Sequence, residues 1–298
     1  MSRWPAPLAQ AYATCRATAR AYDAKCPVRL WLLPEPIRPH VAAVYAYASV
    51  AFGIADRRSM PPVERLALLD AWQRRLHAAV GGERSERAPH AHEDGIVVAL
   101  AHSIRSLDLP VAFADDLVSA CDQDTMTTRY DSWAEVYEYC RRAANPLGRL
   151  MLGIAGYRDE TFAQASDAFC TAMQLTSFWQ DFGGDWIIGR LYVPRDVTAA
   201  CRAREMDLQA PFLNESWDAA MRQCVDETRG QFERARPLCD GVTGRPRYER
   251  RFTWLSGMKL LDEIERAGPW IRSRRPVIGA RRVPRLLWRA RQWRPRQP

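Results

Sequence analysis

Acidic and polar side chains recur at helical spacing in the stretch 174–196, inside an otherwise apolar run. Gln174, Ser177, Asp181 and Asp185 occupy these positions, and on a helix their spacing brings all four to nearly the same direction. Two carboxylates one turn apart repel each other and need a compensating cation. Because carboxylate oxygens completed by water and phosphate oxygens suit Mg²⁺, the pattern predicts a helix that carries two Mg²⁺ ligands, Asp181 and Asp185. A solvated acidic turn is the alternative.

Arginine and tyrosine side chains are concentrated in two stretches that precede this motif, 124–130 and 137–149. Guanidinium groups bind phosphate oxygens through paired hydrogen bonds, while a metal ion bridges phosphate to carboxylate. The two stretches together with the paired carboxylates therefore match the needs of a metal-diphosphate site. Taken singly, each arginine is more readily explained as a surface residue. The candidates from these stretches are Arg129, Tyr130, Arg141, Arg142 and Asn145.

Apolar residues recur with a period near 3.6 along most of the chain, and no alternating strand pattern is convincing. Proline and glycine clusters mark the breaks between the predicted helices. We find no internal repeat and no low-complexity linker, so the sequence predicts one all-α domain over residues 1–269, followed by a tail over 270–298. The predicted helices lie near residues 5–25, 36–56, 62–80, 92–107, 110–122, 131–157, 160–187, 215–238 and 246–268.

Bulk composition indicates a globular protein. The chain has 298 residues, of which 47% are hydrophobic, enough for a large buried core. No run approaches the roughly 18 uninterrupted apolar residues of a membrane span, and the first residues lack the order of a secretory signal. We therefore expect a cytoplasmic protein. The eight cysteines contain no Cys-x-x-Cys pair, which argues against a zinc site.

The tail over 270–298 carries ten arginines and no acidic residue, so the rest of the chain is slightly acidic. Nucleic-acid binding is one interpretation, but no recognisable binding motif accompanies the tail. Leucines and tryptophans between the arginines, among them Leu287, Trp288 and Trp293, are typical of a helix at an anionic bilayer surface. We favour peripheral contact at the inner face of the membrane, with no nucleic-acid partner, and a solvated tail is the alternative. Pro284 and Pro295 limit any helix there to about ten residues.

The motif Gln174-Leu-Thr-Ser-Phe-Trp-Gln-Asp181-x-x-x-Asp185, followed by Gly189-Arg190-Leu-Tyr-Val-Pro194, resembles the second aspartate-rich motif of the squalene/phytoene synthase family. The resemblance covers nearly the whole chain. Within the family, the chain is similar in particular to the hydroxysqualene synthases of the hopanoid pathway. Further matching stretches are Arg38-Pro-His40-Val-Ala-Ala-Val-Tyr45, Thr128-Arg129-Tyr130 and Tyr139-Cys-Arg-Arg-Ala-Ala-Asn145-Pro146-Leu-Gly148-Arg149.

This resemblance implies a helical bundle around a central cavity, with a prenyl diphosphate and its Mg²⁺ ions held between two aspartate-rich helices. The implied reaction for the hydroxysqualene subgroup converts presqualene diphosphate to hydroxysqualene, with water capturing the cation. The implied metal ligands are Asp181, Asp185 and Asp56, and Tyr130 joins Asp181 and Asp185 as catalytic residues. The implied substrate-binding residues are Arg38, Ser49, Phe52, Arg129, Arg141, Arg142, Asn145, Gln174, Ser177, Phe178 and Arg190.

The chain departs from the family pattern in the first aspartate-rich motif. Members usually carry Asp-Asp-x-x-Asp, whereas this chain reads Phe52-Gly53-Ile-Ala-Asp56, so one carboxylate of three is left. We therefore expect metal binding through this helix to be much weaker than in the family. The departure leaves two alternatives to hydroxysqualene synthesis: a prenyltransferase with another acceptor, and an inactive relative that binds a prenyl lipid or supports a partner isoprenoid enzyme.

Overall fold

The computed structural model describes residues 4–21, 33–83, 91–244 and 246–295. These residues form α-helices joined by loops and short 3-10 turns, and they contain no β-strand. The all-α prediction is confirmed. The helices are α1 Ala6–Ala21, α2 Arg38–Ala55, α3 Pro62–Gly81, α4 Ala91–Leu107, α5 Ala112–Met126, α6 Trp133–Ala143, α7 Asn145–Ile154, α8 Glu160–Gln180, α9 Phe182–Ile187, α10 Arg195–Ala200, α11 Glu215–Arg234, α12 Arg236–Gly241, α13 Pro246–Ala267 and α14 Val283–Arg291.

The helices group into two compact units, one over residues 1–126 and 142–163 and the other over 127–141 and 164–298. In the first unit, α2 packs against α1, α3, α4 and α5. Helix α2 is rich in buried alanines, whose small side chains let the neighbouring helices approach closely. Large side chains fill the space around it, as where Tyr47 stacks on Trp72 with 5.0 Å between ring centroids.

A buried polar network joins α1, α2 and α4 of the first unit. The hydroxyl of Tyr12 lies 2.8 Å from Nδ1 of His102, 2.9 Å from Oγ of Ser103 and 3.1 Å from Nδ1 of His40. Trp4 covers this network by stacking on Tyr12 at 4.4 Å. Burial lowers the pKa of His102 below its usual 6.5, so the imidazole is held neutral near pH 7.

The second unit is built around α11 and α13, which pack against each other. Gly257 on α13 lies under the ring of Phe232, where a Cβ would come within 2.2 Å of a ring carbon. Indole groups anchor the surrounding helices: Trp254 donates to the carbonyl of Phe232 at 2.8 Å, and Trp179 donates to Oγ1 of Thr228 at 2.8 Å. Buried tryptophans thus fix α8, α11 and α13 with their polar N–H groups satisfied.

The observed helices follow the predicted ones closely, except that three long predictions divide. The predicted helix 131–157 breaks at Ala144 and 215–238 breaks at Ala235, each followed two residues later by a proline that lacks an N–H donor and starts a new helix. The predicted helix 160–187 breaks at Asp181, where no proline is present. Residues 22–25 of the first predicted helix lie outside the described residues.

The basic tail packs onto the second unit. Ile271, Leu286 and Ala290 are buried, and α14 lies along α13. Trp293 meets Trp254 edge-on at 5.2 Å and donates to Asp240 at 2.5 Å. The described part of the tail, which ends at residue 295, thus packs through a few apolar residues while most of its arginines stay exposed, and the choice between a lipid-binding and a solvated surface stays a prediction. The division of the chain at residue 270 into a domain and a tail stays a prediction.

Candidate functional site

The two predicted metal-binding carboxylates are one helical turn apart. Helix α8 ends at Gln180 and α9 begins at Phe182, with Asp181 between them at φ −96° and ψ 8°. The helical hydrogen bonds continue through this junction, since the N–H of Asp181 donates to Ser177 and the N–H of Asp185 donates to Asp181, both at 2.9 Å. The backbone therefore keeps Asp181 and Asp185 at the spacing that the sequence predicts.

One face of the α8–α9 junction is accessible and the other is packed. Ser177 is exposed, whereas Gln174 and Asp185 are half-buried and the Asp181 side chain is 38% exposed. The other side of the junction is formed by the buried aromatic residues Phe178, Trp179 and Phe182. The packed side fixes the junction, and the accessible side presents hard oxygen atoms that a ligand can reach.

An arginine from the tail already neutralises part of this acidic face. Arg275 donates through Nε to Oδ1 of Asp181 and through Nη2 to Oδ2 at 3.2 Å. The same Nη2 lies 3.2 Å from Oε1 of Gln180, whose Nε2 donates to the carbonyl of Pro276 at 2.7 Å. The Asp181 carboxylate raises the pKa of Arg275. Asp181 thus has a fixed cationic partner within the chain, which the sequence had not indicated.

Residues 268–276, here called the C-terminal strap, lie directly against α9. A Cβ built on Gly183 would come within 2.2 Å of the carbonyl oxygen of Arg272, so only glycine permits this approach. The strap is also held elsewhere, because Ile271 is buried and the carbonyl of Pro269 accepts from the N–H of Leu213 at 2.8 Å. Arg275 is therefore presented to Asp181 by a firmly packed segment.

Arg129 fixes the turn that follows α9. Its guanidinium pairs with both carboxylate oxygens of Glu205 at 2.9 to 3.1 Å and donates to the carbonyl of Gly189 at 2.7 Å. It also lies 5.6 Å from the ring centroid of Trp186. These contacts give Arg129 a structural task at the end of α9, and its predicted role in binding diphosphate stays a prediction.

The other predicted arginines have different surroundings. Arg141 pairs with Glu138 on its own helix at 2.8 Å, and both side chains are about half exposed. Arg142 donates to Oγ of Ser119 at 3.0 Å and to Oε1 of Gln123 at 2.5 Å. Arg190 is half-buried. Its backbone N–H donates to the carbonyl of Asp185 at 2.8 Å, so the backbone of Arg190 lies next to the acidic motif.

An aromatic cluster of Tyr130, Tyr139, Phe178 and Tyr192 lies beneath the motif. Tyr192 stacks on Phe178 with ring centroids 3.6 Å apart and an interplanar angle of 7°. Tyr192 also stacks on Tyr130 at 5.7 Å, and Tyr139 contacts Tyr130 at 5.9 Å. Tyr130 is only 1% exposed. The predicted residues Tyr130 and Phe178 are therefore brought together inside this cluster.

The degenerate first motif lies at the C-terminal end of α2, in the first unit. Phe52 packs partly on the core of that unit, whereas Asp56 is exposed. A Cβ built on Gly53 would meet nothing within 4 Å. Ser49 is buried, and its hydroxyl donates to the carbonyl of Tyr45 at 2.7 Å. Residues 52, 53 and 56 thus form an accessible edge of α2 that has room for longer side chains.

Two further predicted substrate-binding residues, Arg38 and Asn145, stand at the starts of helices in the first unit. Arg38 begins α2, and its Nε donates to the carbonyl of Leu33 at 2.7 Å. Asn145 begins α7 and is half-buried. The hydrogen bond of Arg38 explains it as a residue that fixes the start of its helix, and the substrate-binding roles of both residues stay predictions.

Asp181 and Asp185 fit Mg²⁺ by the chemistry of their oxygen atoms. Within the described ranges no group of three or more His, Cys, Asp or Glu side chains could hold a metal ion. Two carboxylates that are completed by water and substrate phosphate oxygens are, however, the usual protein share of a Mg²⁺ site. The pair is therefore suited to a metal ion that arrives with a diphosphate.

Comparison with known proteins decides the family. Residues 7–282 match the family model of squalene/phytoene synthase. The chain belongs to this family. It is 35% identical to the hydroxysqualene synthase of Rhodopseudomonas palustris over 187 residues, which is 62% of this chain and 60% of that protein. It is 28% identical to the 15-cis-phytoene synthase of Synechococcus elongatus over 279 residues, 89% of this chain and 87% of that protein.

Solved structures of the squalene/phytoene synthase type agree with this assignment. The squalene synthase HpnC of Alicyclobacillus acidocaldarius superposes with a TM-score of 0.80 at 30% identity, covering 89% of this chain and 97% of that one. A dehydrosqualene synthase with 18% identity and a TM-score of 0.82 shares the fold. The predictions of this family and of a synthase-type enzyme are confirmed. The matches to two hydroxysqualene synthases span about three fifths of those proteins, at 60% and 63%.

Three residues of the site were not predicted as such: Arg275, Gln180 and Tyr192. Arg275 was counted among the tail arginines and assigned to a lipid surface, because nothing in the sequence spacing links it to a motif 94 residues earlier. Gln180 directly precedes Asp181 and Tyr192 lies in the matching Gly189–Pro194 stretch, so both stood within the recognised motif.

Proposed function

We propose that this squalene/phytoene synthase ionises presqualene diphosphate and that water captures the resulting cation to give hydroxysqualene. The observation that carries the proposal is the pair Asp181 and Asp185, held one turn apart on the accessible side of the α8–α9 junction. Support comes from the 35% identity to a hydroxysqualene synthase. The matched stretch includes three fifths of that relative, so the reaction is a proposal for the chain as a whole.

In this proposal Asp181 and Asp185 hold Mg²⁺, which supplies positive charge that neutralises the leaving diphosphate when it is bound. Arg190 follows the motif, with its backbone N–H bonded to the carbonyl of Asp185, and is the arginine that we propose binds a diphosphate oxygen. Arg275 pairs with the Asp181 carboxylate, so a bound metal ion would share this carboxylate with the guanidinium or displace it. Asp56 stays a predicted, weaker ligand because the carboxylates beside it are replaced by Phe52 and Gly53.

In the proposed reaction, the aromatic cluster forms an apolar layer on the buried side of the acidic motif. Its close packing keeps water away from the buried side of the motif. Phe178 has one face covered by Tyr192, so the stack acts as a unit. Trp179 is fully buried and donates to Thr228, which suits a supporting role in packing.

Phytoene-type synthesis from another prenyl diphosphate is the second candidate function. It is favoured by the longer match to the 15-cis-phytoene synthase, which covers 89% of this chain. A prenyltransferase with another acceptor and an inactive prenyl-lipid-binding relative remain as outcomes of the test, since the first aspartate-rich motif is degenerate.

The deciding experiment is incubation of the full chain with presqualene, farnesyl or geranylgeranyl diphosphate, with and without Mg²⁺, followed by product identification and a diphosphate assay. Hydroxysqualene formed from presqualene diphosphate only with Mg²⁺ supports the proposal. Phytoene formed from geranylgeranyl diphosphate supports the second candidate. Binding of a prenyl substrate without diphosphate release, in the presence of Mg²⁺, identifies an inactive relative.

The predicted contacts with a membrane and with partner isoprenoid enzymes are also proposals. Among the described residues no helix is both long and apolar enough to cross a bilayer. A peripheral contact at the inner face of the membrane is supported by the exposed Leu287 and Trp288 on α14.

A further inference from the structure

A cavity of about 370 Å³ lies where α14 packs along α13. Four of its six lining residues carry positive charge, one is acidic and one is apolar. They are Lys259, Asp262, Arg282, Arg285, Leu286 and Arg289. All belong to the second unit, and none is part of the acidic motif or of the C-terminal strap. The cavity therefore calls for an explanation separate from catalysis.

The positive charges of the cavity are only partly neutralised. Lys259 contacts Asp262 at 3.1 Å and Glu263 at 3.3 Å, and Arg282 also pairs with Glu263. Arg285 and Arg289 lie one turn apart on α14, are exposed, and form no ion pair with any residue in the described part of the chain. The lip of the cavity therefore carries two accessible guanidinium groups that can bind an anion.

Two exposed apolar side chains lie on the outer surface of α14, Trp288 next to the lip and Leu287 on the other side of the buried stripe. Leu286 and Ala290 face α13 and are buried, whereas Leu287 and Trp288 are 50% and 58% exposed. At 100° per residue, Trp288 points away from the buried stripe, and Arg285 and Arg289 lie between the two. Tryptophan and leucine next to arginine suit the boundary between headgroups and acyl chains, where the indole ring has both an apolar body and a polar edge.

We propose that this cavity binds the phosphate of an anionic phospholipid headgroup while the neighbouring Trp288 inserts at headgroup depth. The cavity supplies the charge complementarity, since its four cations outnumber Asp262 and the neighbouring Glu263. The adjacent exposed indole of Trp288 distinguishes a bilayer from a free phosphate ion, because a phosphate ion has no apolar part to cover the ring. Trp293, which the sequence also assigned to the bilayer, is packed against Trp254 and takes no part.

The test is flotation of the full chain with phosphatidylcholine vesicles that contain or lack phosphatidylglycerol. The double variant Arg285→Gln/Arg289→Gln should reduce binding to the anionic vesicles about 30-fold, since each arginine near an anionic surface contributes on the order of 1 kcal/mol. Trp288→Ala should reduce binding as well. Neither change touches the buried Leu286 or Ala290, and circular dichroism checks that the helix content is kept.

The matched control is Arg274→Gln/Arg294→Gln, which removes the same charge from tail arginines that do not line the cavity. Retention of vesicle binding by this control supports the cavity. Equal loss in both double variants overturns it in favour of diffuse attraction by the whole tail. The lipid assignment is also overturned if Arg285→Gln/Arg289→Gln abolishes binding of inorganic phosphate or of a DNA oligonucleotide while the wild type does not float with anionic vesicles.

Discussion

Asp181 and Asp185 make the most direct prediction at the scale of single residues. Asp181→Asn or Asp185→Asn removes a ligand charge and keeps the side-chain volume, so Mg²⁺-dependent diphosphate release should fall by about 10² to 10³ or more. The unfolding midpoint should change little because both side chains are accessible. Asp226→Asn, at an exposed position on α11, is the control. Unchanged turnover in both motif variants would rule out the metal assignment.

Arg275 and a metal ion compete for the same carboxylate of Asp181. Because the ion pair is partly exposed, it is worth at most about 1 kcal/mol, and Arg275→Gln should tighten Mn²⁺ binding up to about fivefold. Electron paramagnetic resonance of free Mn²⁺ measures this without any substrate. Arg274→Gln is the control, since Arg274 lies over Trp270 and not at the motif. Weaker Mn²⁺ binding in Arg275→Gln would contradict the competition.

His102 makes a prediction about pH. Its folded pKa is lowered by burial, so at pH 7.5 the ring is almost entirely neutral in both the folded and the unfolded state. As pH falls below 6.5, the unfolded chain binds a proton that the folded chain resists, and the free energy of unfolding decreases until the folded pKa is reached. Urea unfolding at pH 7.5 and 5.5 should show a smaller decrease for His102→Asn. Titration of the His102 ring at or above pH 6.5 by NMR would disprove the assignment.

At the scale of elements, the contact of the C-terminal strap with α9 can be tested through two adjacent glycines. Gly183→Ala would force a Cβ into the Arg272 carbonyl and should destabilise the fold by roughly 1 to 3 kcal/mol. Gly184→Ala meets nothing within 4 Å and should stabilise α9 by up to about 1 kcal/mol. Thermal unfolding of the two variants measures the difference, and equal midpoints would mean that the strap does not rest on Gly183 in solution.

The helices were predictable from the sequence because apolar periodicity and proline positions report local structure. The breaks before Pro146 and Pro237 belong to the same local chemistry, although they were not predicted. The break at Asp181 has no such signal. The contact of the strap with α9 also has no local signal in the sequence. Gly183 is required because the backbone at Arg272, 89 residues later in the chain, lies against it, and a contact between distant residues produces no periodic pattern.

At the scale of the whole molecule, the degenerate first motif decides between an active enzyme and a relic. Gly53→Asp has free space, whereas Phe52→Asp removes an aromatic ring that packs on the core. If the wild type is active, the double variant should show stronger Mg²⁺ dependence but little gain, or a loss, in turnover. A relic would behave in the opposite way, with an inert wild type and a variant that turns over presqualene, farnesyl or geranylgeranyl diphosphate. The assay is Mg²⁺-dependent diphosphate release.

The family and the acidic pair could be predicted from the sequence because the helical hydrogen bonds continue through the α8–α9 junction, so the local spacing of the motif is kept even though the helix breaks at Asp181. The partners of the predicted arginines could not, since Glu205 lies 76 positions from Arg129 and the order of the chain does not reveal the pairing. Tyr130 was recognised as a site residue, but its enclosure by Tyr192 depends on how two separate segments pack. The sequence thus predicted the residues that act within one segment, but not the contacts between residues that are distant in the chain.

The ion pair between Arg275 and Asp181 also sets a minimum time for assembling the motif during protein synthesis. The two residues are 94 positions apart. At ribosomal rates of about 5 to 20 residues per second, Arg275 is added roughly 5 to 20 s after Asp181. Until then Asp181 has no Arg275 guanidinium to pair with, and the strap does not yet lie against Gly183. A nascent chain therefore carries an unguarded pair of carboxylates, and metal ions or chaperones in the cell meet that form of the protein first.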